Sequence, residues 1–567
     1  MQLRNSIVAL CFTALVACQP HVAAPVLPVT DNGTIFIGGT VFAGPQQTPT
    51  KNVAIYATDG VIREIGAPDD IRRAHAGARV IDASSATILP GLIDAHGHLY
   101  GLGLSLDIVR LVDTTSYEQV IALVKERAAR ASANEWILGR GWDQNDWDVK
   151  QFPTAAPLDA AVSDHPVWLK RIDGHAGLAN SAAMRAAGVT AATKDPDGGR
   201  VERDANGNPT GVFVDAAMDL VESAVPPPTF AQRKARVLAA AQKIASEGLV
   251  ETHDPGADDA TIRAVRELID EKKFPIRVYS MLSDSGEAFD SGNAQLRDWF
   301  ARGPLLDYGG RLTVRAVKVY ADGALGSRGA ALLAPYSDDP KNVGLMLAKP
   351  EHIADVAKRA LAAGFQVNTH AIGDRGVRNV IDAYQEAGVK PEHRFRIEHL
   401  QVISPPDVPR LVYRGIIASM QPTHATSDMY WAEKRLGDPR VRDSYAWRTV
   451  LNAGGRLALG SDFPVEEVNP FYGISSAVTR QDHKNWPDGG WFPDQRLTFA
   501  EALRGFTLDA AYAGFEEKSR GTIEAGKLAD FTIVEGDFAT TPPQDLWKAK
   551  VRSTVVGGEV VWSSTQK

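Results

Sequence analysis

Leu89-Pro90-Gly91-Leu92-Ile93-Asp94-Ala95-His96-Gly97-His98 reads as the end of a buried strand, Ala86 to Ala95, that stops on two histidines one residue apart. In an extended backbone, residues i and i+2 point to the same side, so His96 and His98 aim two imidazoles into one space. Neutral imidazole is the commonest protein metal ligand. A bare His-x-His pair is more often two unrelated histidines than a site, so it gains weight only if further ligands end on similar strands.

Outward from this stretch, apolar strand-like runs alternate with helical patterns. The runs lie at 87–95, 136–141, 166–171, 248–253, 276–282, 313–320, 365–370, 395–399, 416–420 and 456–461; helical spacing is clearest at Ala231 to Ser246, Ile353 to Ala363 and Val377 to Ala387. Alternation of this kind predicts an α/β fold with a parallel sheet. The second and third runs sit in a Trp-, Asp- and Gly-rich region without regular helix spacing. Setting them aside as an insertion after the first strand, about residues 100–228, leaves eight runs, the number a (β/α)8 TIM barrel requires.

The flanks have a different texture. Thr34-Ile35-Phe36-Ile37, Val53-Ala54-Ile55-Tyr56 and Val61-Ile62-Arg63-Glu64-Ile65 are short strands, with Asp59-Gly60 as a hairpin turn. Phe531 to Val534, Val551 to Val556 and Glu559 to Trp562 repeat the pattern at the other end. The expectation is one small β domain made from both chain ends, 33–85 and 520–567, around a barrel domain spanning 86–519.

In barrel enzymes the chemistry sits at the C-terminal ends of the strands. Here those ends carry His96 and His98 on the first strand, His370 on the fifth, His399 on the sixth and Asp462 on the eighth, while Lys318 lies inside the apolar fourth run. One such histidine is usually a packed core residue; the whole set at one end of one barrel points to a site.

Composition narrows the chemistry. The chain has 567 residues, 44% hydrophobic and 23% charged, with 61 basic against 69 acidic side chains and a formal charge of −8. No basic block stands out, which argues against a nucleic-acid partner. Both cysteines, Cys11 and Cys18, lie near the N-terminus, so the body can hold no disulfide, thiolate metal site or cysteine nucleophile. Any metal must be held by nitrogen and oxygen.

Arg4 followed by the apolar run Ser6 to Ala17 has the shape of a secretory signal, too short to span a bilayer. Its end, Leu15-Val16-Ala17-Cys18, resembles the bacterial lipobox. That implies a signal peptide over 1–18, acylation of Cys18 and a tether over 19–32. Gln19 rather than aspartate then points to an exported lipoprotein on the periplasmic side of the outer membrane, or at the cell surface, with the lipid as its only membrane contact.

Six segments together resemble the metal-dependent amidohydrolase superfamily, within it the amidohydrolase-3 or YtcJ-like, N-substituted formamide deformylase-like group: Pro90 to His98, Lys318 to Arg328, Asn368 to Asp374, Ile397-Glu398-His399, Gly460 to Val465 and Gly521 to Asp530. The resemblance implies a TIM barrel with a small β-sandwich built from both termini. It also implies two divalent metal ions: His96, His98 and Asp462 on the more buried one, His370 and His399 on the second, and Lys318, carboxylated by carbon dioxide, between them. Zinc is the expected occupant, with manganese, iron or cobalt open on the same ligands.

The implied reaction is attack of a metal-bridging hydroxide on an amide-type carbon of a small molecule, Asp462 acting as general base and then acid. Trp142, His175 and His424 are candidate substrate contacts, and Asp322 would orient a neighbouring ligand. Cyclic amide, dipeptide, ester or lactone hydrolysis and deamination stay open. So do a non-catalytic binding lipoprotein, disfavoured by the complete ligand set, and a homodimer. A barrel glycosidase would need paired carboxylates where these strands carry histidines.

Overall fold

The expected strand Ala86 to Ala95 divides at Gly91. Arg79–Pro90 belongs to an outer sheet and Leu92–Asp94 to the barrel. At the crossing, the Gly91 N–H donates to the Asp530 carbonyl at 2.9 Å. A Cβ there would come within 2.6 Å of Val250, so only glycine lets the chain pass this close to the next barrel strand.

A computed structural model describes residues 32–45, 47–172, 174–196, 198–284 and 293–565. Its centre is an eight-stranded parallel barrel, whose strands we label β1 (Leu92–Asp94), β2 (Leu249–Ala257), β3 (Arg277–Ser283), β4 (Leu312–Tyr320), β5 (Gln366–Ala371), β6 (Arg396–His399), β7 (Ile417–Met420) and β8 (Leu457–Leu459). They pair in that order. Across the remaining seam, the Ala95 N–H donates to the Leu459 carbonyl at 3.0 Å and the Asp462 N–H to the His96 carbonyl at 2.7 Å. These are the eight runs that remained once the insertion was set aside. Both faces of the strands are buried, so their sequences are nearly continuously apolar rather than alternating.

The insertion has its own six-stranded sheet, ordered Gly199–Arg203, Pro209–Asp215, Ala176–Ala179, Val167–Arg171, Ile137–Trp142, Val109–Arg110. The two chain ends join a single seven-stranded sheet. The long strand Arg79–Pro90 pairs parallel with Thr34–Val41 and antiparallel with Phe531–Glu535, and Phe36 meets Phe531 edge-on at 5.2 Å.

Local chemistry explains how the His96–His98 pair is fixed. His98 leads directly into helix Leu99–Asp107, which packs on helix Phe230–Ser246. Thr229 and Gln232 form a capping box that starts the second helix, and Val237, Ala240, Ala241, Ile244 and Ala245 are its buried face. Gly103 allows the contact: a Cβ there would lie 2.2 Å from the Arg236 carbonyl oxygen. Among the described residues, no helix is long and apolar enough to cross a membrane. Cys18 and the leader lie outside the described residues.

Candidate metal centre

The C-terminal ends of the barrel strands bring the expected ligands together. His96 is fully buried, with Nε2 3.6 Å from Asp462 Oδ1 and 3.3 Å from Lys318 Nζ. His98, a third exposed, places Nε2 3.1 Å from the same carboxylate oxygen. The His370 and His399 rings lie 4.6 Å apart, and His399 is 4.8 Å from the His96 ring. Nitrogen and oxygen atoms of His96, His399 and Asp462 all fall within 4.8 Å of one another.

Three local devices aim these groups. Gly97 separates the two histidines because a Cβ there would meet the Phe463 ring at 2.2 Å; the Gly97 N–H donates to the His253 carbonyl and the His98 N–H to the Phe463 carbonyl. Asp94 ties the same loop to β8: it accepts from the His96 N–H at 3.0 Å and the Ser461 hydroxyl at 2.6 Å. Burial, against those hydrogen bonds, pushes its carboxyl up to about 7. His399 and Asp462 adopt left-handed backbone, at φ 73° and 63°. For non-glycine residues this costs about 1–3 kcal/mol each and clusters at functional sites. It also takes His399 out of the strand alternation, so that it and its neighbour Glu398 both serve the centre.

The donor set fits divalent metal. The His96 Nδ1–H donates to the Glu398 carboxylate and the His399 Nδ1–H to Gln421 Oε1, so each ring presents a bare Nε2. Burial, then the Lys318 charge, lowers His96 to about 4 and His370 to about 3; burial and the neighbouring imidazoles hold His399 well below its ordinary value. The imidazoles are therefore neutral at pH 7, the form in which a metal would take them. For Asp462, burial is outweighed by His98, His96 and His424, and the carboxyl falls to about 2. Buried His370 Nε2 and Asp462 Oδ1 have no hydrogen-bond partner, an arrangement that coordination would satisfy. Lys318 is fully enclosed, and burial lowers its ammonium to about 8, which makes the free amine accessible.

Of the substrate-contact expectations, His424 joins the centre: its ring stacks 5.9 Å from His399, with Nε2 3.7 Å from Asp462 Oδ2. Asp322 is buried beneath it, accepting from the N–H groups of Ala331, Ile372 and Gly373 and lying 3.7 Å from His370 Nε2. It is thus enclosed, holding backbone N–H groups, with no surface for a substrate and no hydrogen bond to His370. Trp142 requires correction: it is fully buried in the insertion's own core, its indole N–H donating 2.8 Å to the Leu169 carbonyl. His175 stands three-quarters exposed on the insertion, with Nδ1 2.9 Å from Asp215. The sequence reading missed Glu398 and Gln421, which orient the two rings. Glu398 stood beside His399 in the Ile397-Glu398-His399 segment, but a both-sides-buried strand gives no alternation from which to read its direction.

Comparison with known proteins places this geometry. Residues 79–562 match the model of the amidohydrolase family. The chain is similar to YtcJ of Bacillus subtilis, described as an amidohydrolase, at 33% identity over 94% of this chain and 99% of that one. It is 27% identical to an N-substituted formamide deformylase of Arthrobacter pascens, over 90% and 94% of the two chains. A crystal structure of an uncharacterized metal-dependent hydrolase from Pyrococcus furiosus matches with a TM-score of 0.74 at 26% identity, covering 89% of this chain and 99% of that one.

Proposed function

Because the chain belongs to the amidohydrolase family, and is with it a metal-dependent hydrolase of small molecules, we propose that it cleaves a non-peptide carbon–nitrogen bond of the amide type. N-acyl and N-formyl amides are the first class to test, since one relative is named for deformylation of N-substituted formamides. The observation that carries this reading is the convergence of neutral His96 and His399 on ionised Asp462, with His370 beside His399 and buried nitrogen and oxygen atoms left unpartnered.

His96, His98, His370, His399 and Asp462, together with a carboxylated Lys318, would hold two divalent ions, zinc foremost. Such ions lower the pKa of water and polarise a carbonyl. Asp462 would take the proton of the attacking water and return it to the leaving nitrogen. His424, beside Asp462 at the edge of the centre, would donate to the substrate's carbonyl oxygen. The chain's place in the cell belongs to the same proposal: an exported lipoprotein held by acylated Cys18.

The test is metal analysis of purified protein, with turnover of an N-acyl and N-formyl amide panel on the same sample. Two ions and hydrolysis abolished by Asp462→Asn are expected. Protein that stays inactive after zinc, manganese or cobalt is supplied with bicarbonate would overturn the reading. For the anchor, Cys18→Ser should move the protein out of the membrane fraction; unchanged retention would refute acylation.

A further inference from the structure

A second group of metal-ligand types lies deeper in the barrel: buried Glu251 and His253 on β2 with half-buried Glu516, their ligand atoms again within 4.8 Å of one another. Glu251 Oε1, His253 Nε2 and Glu516 Oε2 are all buried without hydrogen-bond partners. Taken alone this resembles another metal site. Counting hydrogens excludes that. The Arg396 Nη1 lies 2.9 Å from His253 Nδ1, and a guanidinium can only donate. His253 Nδ1 is therefore the acceptor, and a neutral imidazole then carries its one hydrogen on Nε2, the nitrogen a metal would need. That N–H faces Glu251 Oε1 at 3.6 Å, a charge–dipole contact rather than a hydrogen bond. Glu251 is in turn paired with Arg520.

The other end of Arg396 leads to the metal centre. Its Nη2 donates 3.0 Å to Glu398 Oε2 and 2.9 Å to the Ser419 hydroxyl, as well as to the Ala95 carbonyl; its Nε lies 2.7 Å from Glu398 Oε1. Glu398 is the group that receives the His96 Nδ1–H. Every member of the chain Glu251, His253, Arg396, Glu398 and His96 is fully buried. We propose that His253 and Arg396 are positioning residues: they hold Glu398 so that His96 keeps its Nδ1–H tautomer and presents Nε2 to the metal. Glu251, His253 and Glu516 anchor that relay and bind no ion. The relay rests on the reading of His96 as a metal ligand.

The arrangement is directional. His253 supplies the acceptor that fixes one arm of Arg396, and Ala95, adjacent to His96, accepts from the other. Without an acceptor at position 253, the Nη1 is a buried donor with no partner, and the guanidinium can turn to seek one. Glu398 loses its fixed orientation and His96 its enforced tautomer. Outer groups of this kind set metal affinity by about 10–100-fold.

The test is Co2+ titration of metal-free protein followed by its visible absorption, with stoichiometry by elemental analysis, for the unsubstituted chain, His253→Ala and His253→Gln. Urea midpoints of the metal-free forms show that each is folded. His253→Gln keeps a side-chain oxygen for Arg396. The expected result is an unchanged number of ions in all three, at least tenfold weaker binding and an altered Co2+ spectrum in His253→Ala, and recovery in His253→Gln. Equal affinity in His253→Ala overturns the relay, and so does loss of a whole equivalent of metal in either variant. Should His253→Ala not fold, Glu398→Gln carries the test, with weakened binding expected and unchanged binding refuting. If the unsubstituted chain takes up no metal, the functional reading fails; normal uptake with indifferent variants defeats the relay alone.

Discussion

Gly97→Ala is the sharpest perturbation of the metal centre that touches no ligand. The new methyl carbon would lie 2.2 Å from Phe463 Cε1 and 2.4 Å from Cζ, where ordinary contact begins at about 3.4 Å. The ring or the loop must therefore yield by roughly 3.4 − 2.2 = 1.2 Å. Phe463 is fully buried, so the ring has little room, and its backbone is continuous with Asp462 and hydrogen-bonded to His98. Overpacking of this kind costs about 1–3 kcal/mol. A displacement near 1 Å of a reacting group can lower a rate by about 10²-fold. Urea unfolding of the metal-free protein, zinc affinity and turnover should all fall together in Gly97→Ala. The double variant Gly97→Ala/Phe463→Leu, with a smaller and more adaptable side chain opposite the methyl, should recover part of the zinc affinity. A stability change below about 0.5 kcal/mol with unaltered zinc affinity would refute the steric argument.

Other outcomes follow from the same structure. Chelation should abolish turnover and lower the thermal midpoint, with zinc restoring both, because a ligand at a thousandfold its Kd stabilises by about 4 kcal/mol; a midpoint indifferent to metal would count against a site built by the folded barrel. Trp142→Phe should destabilise by about 1 kcal/mol through loss of the Leu169 hydrogen bond while leaving KM unchanged, and a selective rise in KM would return Trp142 to the substrate. Glu501, held to about 2 by Arg448 and by the Thr498 cap, contributes stability that is complete above its ordinary value of 4.5 and lost as pH falls towards 2. The difference in urea midpoint between the unsubstituted chain and Glu501→Gln should therefore shrink between pH 6 and pH 3; a constant difference would contradict it.

The barrel was legible because each strand is an apolar run of the right length, and a helix or turn residues separate most neighbours. The clustering of His96, His98, His370, His399 and Asp462 was legible because strand ends in a barrel converge whatever lies between them. What escaped the sequence depends on partners far along the chain. Glu398 and Arg396 look like ordinary charges on a strand until β1 brings His96 and β2 brings His253 against them. Trp142 sits next to Asp143 in a segment that resembles substrate-facing sequence, yet β pairing inside the insertion turns the indole into its core. Gly91 hid a change of sheet, since the residues on both sides are equally apolar and only the approach of Val250 reveals the crossing.

The outer sheet has a consequence for the making of the protein. Strand Arg79–Pro90 borders Phe531–Glu535, and 440 residues (530 − 90) separate them along the chain. At about 5–20 residues per second, a ribosome needs about 20–90 s to supply the second strand. Through that interval one edge of Arg79–Pro90 has unsatisfied N–H and C=O groups, a template for wrong pairing between nascent chains. The delay is set by the length of the barrel and its insertion rather than by either strand. Lengthening the insertion would prolong this exposure without altering a single contact in the finished sheet.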